Sequence, residues 1–414
     1  MNDSANSRSV VVPAILVAVA LAACAAYANL AFAVHDSGNY RFFPPFQRTV
    51  NANDNGHLGA EYFNIAKAIV AGRGFADPFR EQTGPTAWMP PGLPAVDAGL
   101  LWVGGGDKDV VIAATVFLQT FALAVTGWLV LGLAWSAMRL PQRLGVGLAA
   151  VVFLGAVVVN FHLWFQFTHD CWLILLAVDG VLAGLLWFRP LGSWKSSVGW
   201  GMYGGITALI SPVVGFVWGV LSIALAVRSS GRLRSRLAVA LLAAGLVLTP
   251  WTVRNYFVFG RLIPVKSNLA YELYQSQCLQ PTGLIQASTF KTHPVANVQG
   301  SRREYKRLGE IVFLEEKGAE FRAAVRADPL DFLDRFANRF LGATVWYVPF
   351  DADEETKRPW SFWTSRLTHP LPFLCLLVLL LTAIRTPLVP AQRAVIGVYA
   401  CYLLPYVIVS YYDR

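Results

Sequence analysis

The sequence predicts an all-α integral membrane protein. It expects about nine transmembrane helices, amphipathic helices in the first outer loop, and a helical outer segment between spans seven and eight. Three observations predict it. The first is composition. Of 414 residues, 55% are hydrophobic and 14% charged, with a mean hydropathy of +0.48. Ordinary soluble domains carry about 25% charged residues, so a chain this apolar needs the bilayer as its solvent. The second is a series of apolar runs, most of them near the ~20 residues needed to cross a bilayer. The third is the separation of charge signs along the chain.

The runs lie at about 10–34, 110–137, 144–161, 171–188, 197–210, 213–228, 237–257, 370–385 and 394–411. The first follows Arg8 and ends in an Ala-rich stretch, and Leu21–Ala22–Ala23–Cys24 is similar to a lipoprotein cleavage box. The run stays apolar to Val34, beyond a normal signal-peptide core, which favours an uncleaved helix. The fifth and sixth runs are short and meet at Ser211–Pro212, so two helices or one long kinked helix both fit. The five Cys imply no disulfide framework, because four lie in or beside apolar runs. No Cys/His spacing fits a metal site, no cofactor is implied, and a divalent cation has no support.

With the N-terminus in the cytoplasm, the inner segments hold Arg8, then Arg139 and Arg143, Arg189 and Lys195, then Arg228, Arg232, Arg234 and Arg236, and finally Arg385 and Arg393. Their only acid is Asp3, and most other acids fall in the long segments 35–109 and 258–369. This obeys the positive-inside rule and puts both long segments outside. The expected protein is multi-pass, with residues 1–414 forming a single membrane-embedded domain in a bacterial-type inner (plasma) membrane. The formal net charge of +9 does not point to nucleic acid, because the cations are scattered over short loops and form no single basic face.

In the first outer loop, Leu58, Tyr62, Ile65 and Ile69 recur at helical spacing. The expectation is an amphipathic helix on the bilayer, ended by Gly72 and Gly74, with Glu61 at its waterline. A surface helix that caps the bundle, with Glu61 solvated, has the same periodicity. Asp54 is the other acid nearby, within the turn-like run Asn53–Asp54–Asn55–Gly56. Pro85 to Pro94 holds four prolines and reads as a stiff turn.

The seventh run closes with Pro250–Trp251–Thr252–Val253–Arg254–Asn255–Tyr256. An arginine at the end of a membrane helix can meet a lipid phosphate, with Arg261 and Lys266 nearby in sequence. An interfacial anchor accounts for the same residues, since Trp, Tyr and Arg gather at helix ends. Thr168–His169–Asp170 follows the third span on the outer side. His169 and Asp170 are candidates for a substrate cavity, or a solvated loop pair. Asp179 inside the fourth span should face a cavity or a partner. Residues 301–326 read as one solvated helix of mixed charge pairs, and Asp351–Glu355 as a flexible acidic loop.

Three pieces, in order, carry a resemblance. One is Gly59–Ala66 with Gly72–Phe79 and Gly84–Pro91. The next is Pro250–Asn268. The last is Glu304–Tyr305 with Ala327–Asp328–Pro329 and Arg335–Arg339. The set resembles the GT-C class of membrane glycosyltransferases, which includes protein O-mannosyltransferases and lipid A aminoarabinose transferases. The resemblance implies sugar transfer from a polyprenyl-phosphate donor to a lipid, polysaccharide or protein acceptor on the periplasmic or outer face. It implies Glu61 or Asp54 as general base, Arg254 with Lys266 or Arg261 on the donor phosphate, Asn255 and Tyr256 orienting oxygens, and inversion at the anomeric centre. Many relatives carry Asp-Glu where this chain has Leu58–Gly59, and they continue beyond the position of Tyr411–Arg414 through further helices. A non-catalytic glycolipid flippase, an accessory subunit, or a lipid-linked oligosaccharide polymerase also fits a chain with these outer loops.

Overall fold

The computed structural model describes residues 3–28, 60–79, 82–137, 142–159, 171–227, 231–351 and 359–411, and among them the chain is helical with no named strand. The helices are α1 (Asp3–Ala28), α2 (Glu61–Val70), α3 (Gly92–Val103), α4 (Lys108–Ala137), α5 (Gln142–Val159), α6 (Cys171–Trp187), α7 (Trp194–Ile210), α8 (Pro212–Val227) and α9 (Gly231–Phe259). They continue as α10 (Leu269–Cys278), α11 (Ala287–Phe290), α12 (Ser301–Leu308), α13 (Glu310–Ala327), α14 (Pro329–Thr344), α15 (Pro359–Thr368), α16 (Leu371–Arg385) and α17 (Pro390–Ile408). Each of the nine apolar runs carries a helix through most of its described residues. Four stretches among the described residues are long and apolar enough to cross a membrane: Val110–Trp135, Gly231–Phe259, Phe362–Arg385 and Pro390–Ile408. Shorter apolar helices include Ile15–Tyr27, Leu144–Val158, Cys171–Trp187 and Pro212–Val227. Gly92–Val103 is a further one, in a stretch read from sequence as outer loop.

Internal contacts divide the chain into two units, Met1–Gly72 with Leu93–Ala183, and Arg73–Gly92 with Gly184–Arg414. In the first unit, α4 packs against α1 and α5. Phe63 and Ala66 of α2 join Ala98, Leu101, Val111 and Ile112 in one apolar cluster. Tyr62 packs against a second cluster of Leu93, Ala122 and Trp172. So α2 is a packed helix and not a two-faced surface helix. Glu61, expected at a waterline, is 6% exposed, because its helix is covered on more than one side.

In the second unit, Ser211 is extended (φ −150°, ψ 118°) and separates α7 from α8. The indole of Trp200 donates to Ser222 Oγ at 2.8 Å, so α8 folds back along α7 as a hairpin. The kinked single helix is thereby excluded. The hairpin packs on α9 through Gly201 and Gly205. A Cβ at Gly201 would lie 2.1 Å from the Ala240 carbonyl oxygen, and one at Gly205 2.6 Å from Val247 Cβ. Small residues four apart allow this close approach, the usual packing device where apolar surface alone gives helices no reason to associate.

The segment between α9 and α15 is tied to the end of α17. Arg339 Nε donates to Val407 O at 2.7 Å, Ser276 Oγ to Val409 O at 2.6 Å, and Ile285 N to Tyr411 O at 3.0 Å. Residues 301–326, expected as one solvated helix, form two helices split at Gly309, whose φ of +76° suits glycine. Arg302, Tyr305, Glu310 and Phe313 are buried there. Burial follows from partners remote in sequence, which composition cannot report.

Candidate functional site

The site grows from the end of α9. Gly260 (φ +64°) ends the helix and turns the chain back. The returning strand of residues is pinned by side chains of the last helical turns: Trp251 Nε1 donates to Val265 O at 2.6 Å, and the buried Asn255 Nδ2 to Ile263 O at 2.9 Å. A second loop comes from residues 75–86, closed by an antiparallel bridge between Ala76 and Pro85. Asp77 organises it, accepting from Arg73 Nε at 2.8 Å, Thr83 N at 2.8 Å and Gly84 N at 3.0 Å. The two loops meet where Ser267 N donates to Ala87 O at 2.8 Å.

Arg254 lies at this junction, half-buried. Nη1 donates to Thr86 O at 2.7 Å and to Asn255 Oδ1 at 2.8 Å, and Nη2 donates to Phe75 O at 2.7 Å. The rings of Phe75, Trp251 and Phe259 flank the guanidinium, with centroids 5.1–5.6 Å from Cζ, a cation–π environment. A guanidinium has five N–H groups, and these three bonds fix its plane while leaving donors for an anion.

Glu310 holds the junction from beneath. Oε1 accepts from Ala87 N at 2.8 Å and Ser267 Oγ at 2.7 Å, and Oε2 from Thr86 Oγ1 at 2.5 Å and Tyr305 Oη at 2.7 Å. A carboxylate offers about four lone-pair sites, so this one is saturated and serves as a clamp, with no capacity left to take a proton from substrate. Its place in the first turn of α13 also favours a negative charge. Burial, and then the neighbouring Glu310, push the Tyr305 phenol well above its ordinary range. Around the clamp, Phe79, Trp88, Tyr271, His293, Tyr305 and Phe313 form one buried aromatic cluster, Phe79 meeting Tyr305 edge-on at 4.9 Å. Burial holds His293 down at about 4, against a smaller opposing effect of Glu272. It is therefore neutral at pH 7, with Nδ1 accepting from Val295 N at 3.2 Å.

The other site residues named from sequence are dispersed. Arg261 pairs with Glu315 at 2.6 Å, both side chains more than half exposed, and Lys266 lies 3.7 Å from Glu272. Tyr256 is exposed beside Phe257. Glu61 belongs to the first unit and Arg254 to the second. Asp54, His169 and Asp170 lie outside the described residues, as does Asp353 of the acidic loop. Asp179 has the partner its position demands, Thr126 Oγ1 of α4 donating to Oδ2 at 2.6 Å. Among the described residues no group of three His, Cys, Asp or Glu side chains is arranged to hold a metal. Sequence reasoning missed Glu310, Thr86, Ser267 and Tyr305. The one local signal was Gly309, which breaks the 301–326 pattern and puts an acid at a new helix start. No known protein family, characterised protein or solved structure matches the chain.

Proposed function

We propose that the protein is a membrane glycosyltransferase of GT-C type, moving a sugar from a polyprenyl-phosphate carrier to an acceptor at the outer face of a bacterial-type inner membrane. All nine apolar helices cross the bilayer in this reading, with the N-terminus in the cytoplasm. The observation that carries the proposal is Arg254. It stands at the end of a helix long enough to cross a membrane, its plane is set by two loop carbonyls, and it keeps donors for a lipid-borne phosphate. Lys266 and Arg261 follow in the sequence, each beside a carboxylate of its own, Glu272 and Glu315, so Arg254 carries the proposed phosphate contact.

The chemistry asks little more of the chain. An acceptor hydroxyl or amine attacks the anomeric carbon as the bond to the phosphate oxygen breaks. The phosphate leaves with the electron pair, and a carboxylate takes the acceptor's proton. Glu61, or Asp54, is the base, and displacement inverts the anomeric centre. Arg254 stabilises charge that grows on the leaving phosphate, so its contribution is larger in the transition state than in the ground state. The test is mass spectrometry of glycolipids, surface polymers and periplasmic proteins from cells carrying wild type, Glu61→Gln or Asp54→Asn at matched expression. A single glycoform should vanish with one of the two variants, by about 10²–10⁴-fold for loss of a general base. Retention of every glycoform in both variants rejects the enzyme.

A non-catalytic glycolipid flippase is the second reading. The Asp179–Thr126 pair, between two apolar helices, favours it, because ionisable groups inside a membrane commonly line a pathway. Transbilayer movement of a labelled polyprenyl-phosphate sugar in vesicles, lost in Asp179→Asn but kept in Glu61→Gln, would support the flippase over the transferase.

A further inference from the structure

Helix α14 was expected simply to lie outside the membrane, yet its solvent-facing side is apolar. Leu330, Leu333, Ala337, Phe340 and Leu341 repeat at steps of three and four, so they share one stripe. Leu330 is 75% exposed, Leu333 57% and Leu341 48%. Just past the helix end, Trp346 is 71% exposed. The opposite side is spent on the protein. There Arg335 bonds Asp331 and the Gln280 carbonyl, Arg339 is fully buried, and Gly342 packs against Leu284. Single exposed apolar residues are ordinary, but a continuous stripe on a helix marks a surface with a partner.

Position identifies that partner. Arg339 donates to Val407 O and Ile408 O, the last carbonyls of α17, and His369, just before α16, contacts Gly342 O at 2.8 Å. Both α16 and α17 belong to stretches long and apolar enough to cross a membrane. The ring of Phe340 meets that of Phe373, inside α16, at 5.7 Å. From Phe373 the apolar surface continues down α16 through Leu374, Val378 and Leu381, all exposed. The stripe on α14 is thus an extension of a lipid-facing surface. We infer that α14 lies in the outer interface of the bilayer, its stripe seated at the boundary of headgroups and acyl chains. Such helices typically sink about 5–10 Å, and Asp334, exposed at the stripe's edge, limits the depth. The inference rests on α16 and α17 being membrane helices and is independent of the transferase chemistry.

The test uses the full chain reconstituted in phosphatidylcholine–phosphatidylglycerol vesicles, with a photoreactive diazirine residue placed singly at Leu333, Ala337, Glu316 or Val378. Illumination followed by mass spectrometry of the protein identifies what each position touches. Positions 333 and 337 should form lipid adducts at least several-fold more than Glu316, which is exposed on α13, and comparably to Val378. Lipid adducts at Val378 with only water addition at 333 and 337 overturn the inference. Adducts at 333 and 337 to a second copy of the chain overturn it also, in favour of a protein interface. Absence of lipid adducts at Val378 removes the membrane premise itself.

Discussion

The C-terminal ends of α9 and α17 are each fastened by an arginine, in opposite ways. At α17 the arginine comes from another helix. Arg339 is fully buried, and it donates inward to the terminal carbonyls of Val407 and Ile408. It caps a helix C-terminus, where unpaired carbonyls and the helix dipole favour a cation. At α9 the arginine belongs to the helix that ends. Arg254 reaches outward to the carbonyls of Phe75 and Thr86 and is partly exposed. The first arginine is sealed inside the fold, its Nη1 buried without a hydrogen-bond partner. The second is held by the fold and still presents donors, which is the arrangement a binding group requires.

The largest effect should separate the two ends through stability. Arg339→Met keeps most of the stem's bulk and removes the guanidinium, leaving buried carbonyls at the end of α17 unpaired. A loss of roughly 3 kcal/mol is expected, measured as a fall in the thermal unfolding midpoint of the purified full chain. Arg254→Met, at a partly exposed site where water can reach the freed carbonyls, should cost less than half as much. Equal losses would erase the distinction between the two arginines.

Glu310→Gln comes next. Four donors converge on this carboxylate. An amide keeps one acceptor oxygen and turns an NH₂ toward two of those donors. About 2 kcal/mol should be lost, and the Thr86 carbonyl that orients Arg254 should become mobile. Hydrogen exchange is expected to quicken at residues 86–88 and 267 and to stay unchanged at residues 405–411. Uniform quickening would mean that Glu310 supports the whole unit and not the α9 end.

Acid should divide the two ends more gently. His293 packs against Trp88 and Tyr271 in the cluster beneath the α9 junction. Burial depresses its folded-state value from 6.5 to about 4. The unfolded chain therefore binds the extra proton between those values, and stability is complete above about pH 6.5 and declines as pH falls toward 4. At pH 5 the decline attributable to this group is on the order of 2 kcal/mol. Exchange at residues 86–88 should rise between pH 7 and pH 5, after correction for intrinsic rate, and His293→Asn should flatten that rise. An unchanged pH dependence in the variant would assign the effect to other groups.

Much of this architecture is legible in the sequence because it depends on local composition. The nine apolar runs become helices, Gly72 and Gly74 follow α2 with positive φ, and Ser211–Pro212 marks the turn of the α7–α8 hairpin. What depends on distant partners was not legible. Glu310 lies 224 residues from Thr86, and nothing in the mixed charges of 301–326 distinguishes a saturated buried carboxylate from a solvated one. Glu61 shows the same limit from the other side. Periodicity places it at a helix edge, whereas the structure buries it together with Ile65 and Ala68 on the same side of α2. The position of Arg254 near a helix end is legible in the sequence, but its acceptors at Phe75 and Thr86 lie 179 and 168 residues away.

The central claim is that Arg254 grips a lipid phosphate, and binding tests it without assuming the sugar or the acceptor. Polyprenyl phosphate is titrated against the purified full chain in nanodiscs, and complexes are counted by native mass spectrometry for wild type, Arg254→Lys and Arg254→Met. Arg offers phosphate a planar, two-pronged donor and Lys a point charge. The account predicts a loss of affinity of roughly 10- to 100-fold in Arg254→Met, corresponding to about 1.4–2.7 kcal/mol, with Arg254→Lys intermediate. Equal affinity in all three proteins would contradict it and return Arg254 to the role of an interfacial anchor.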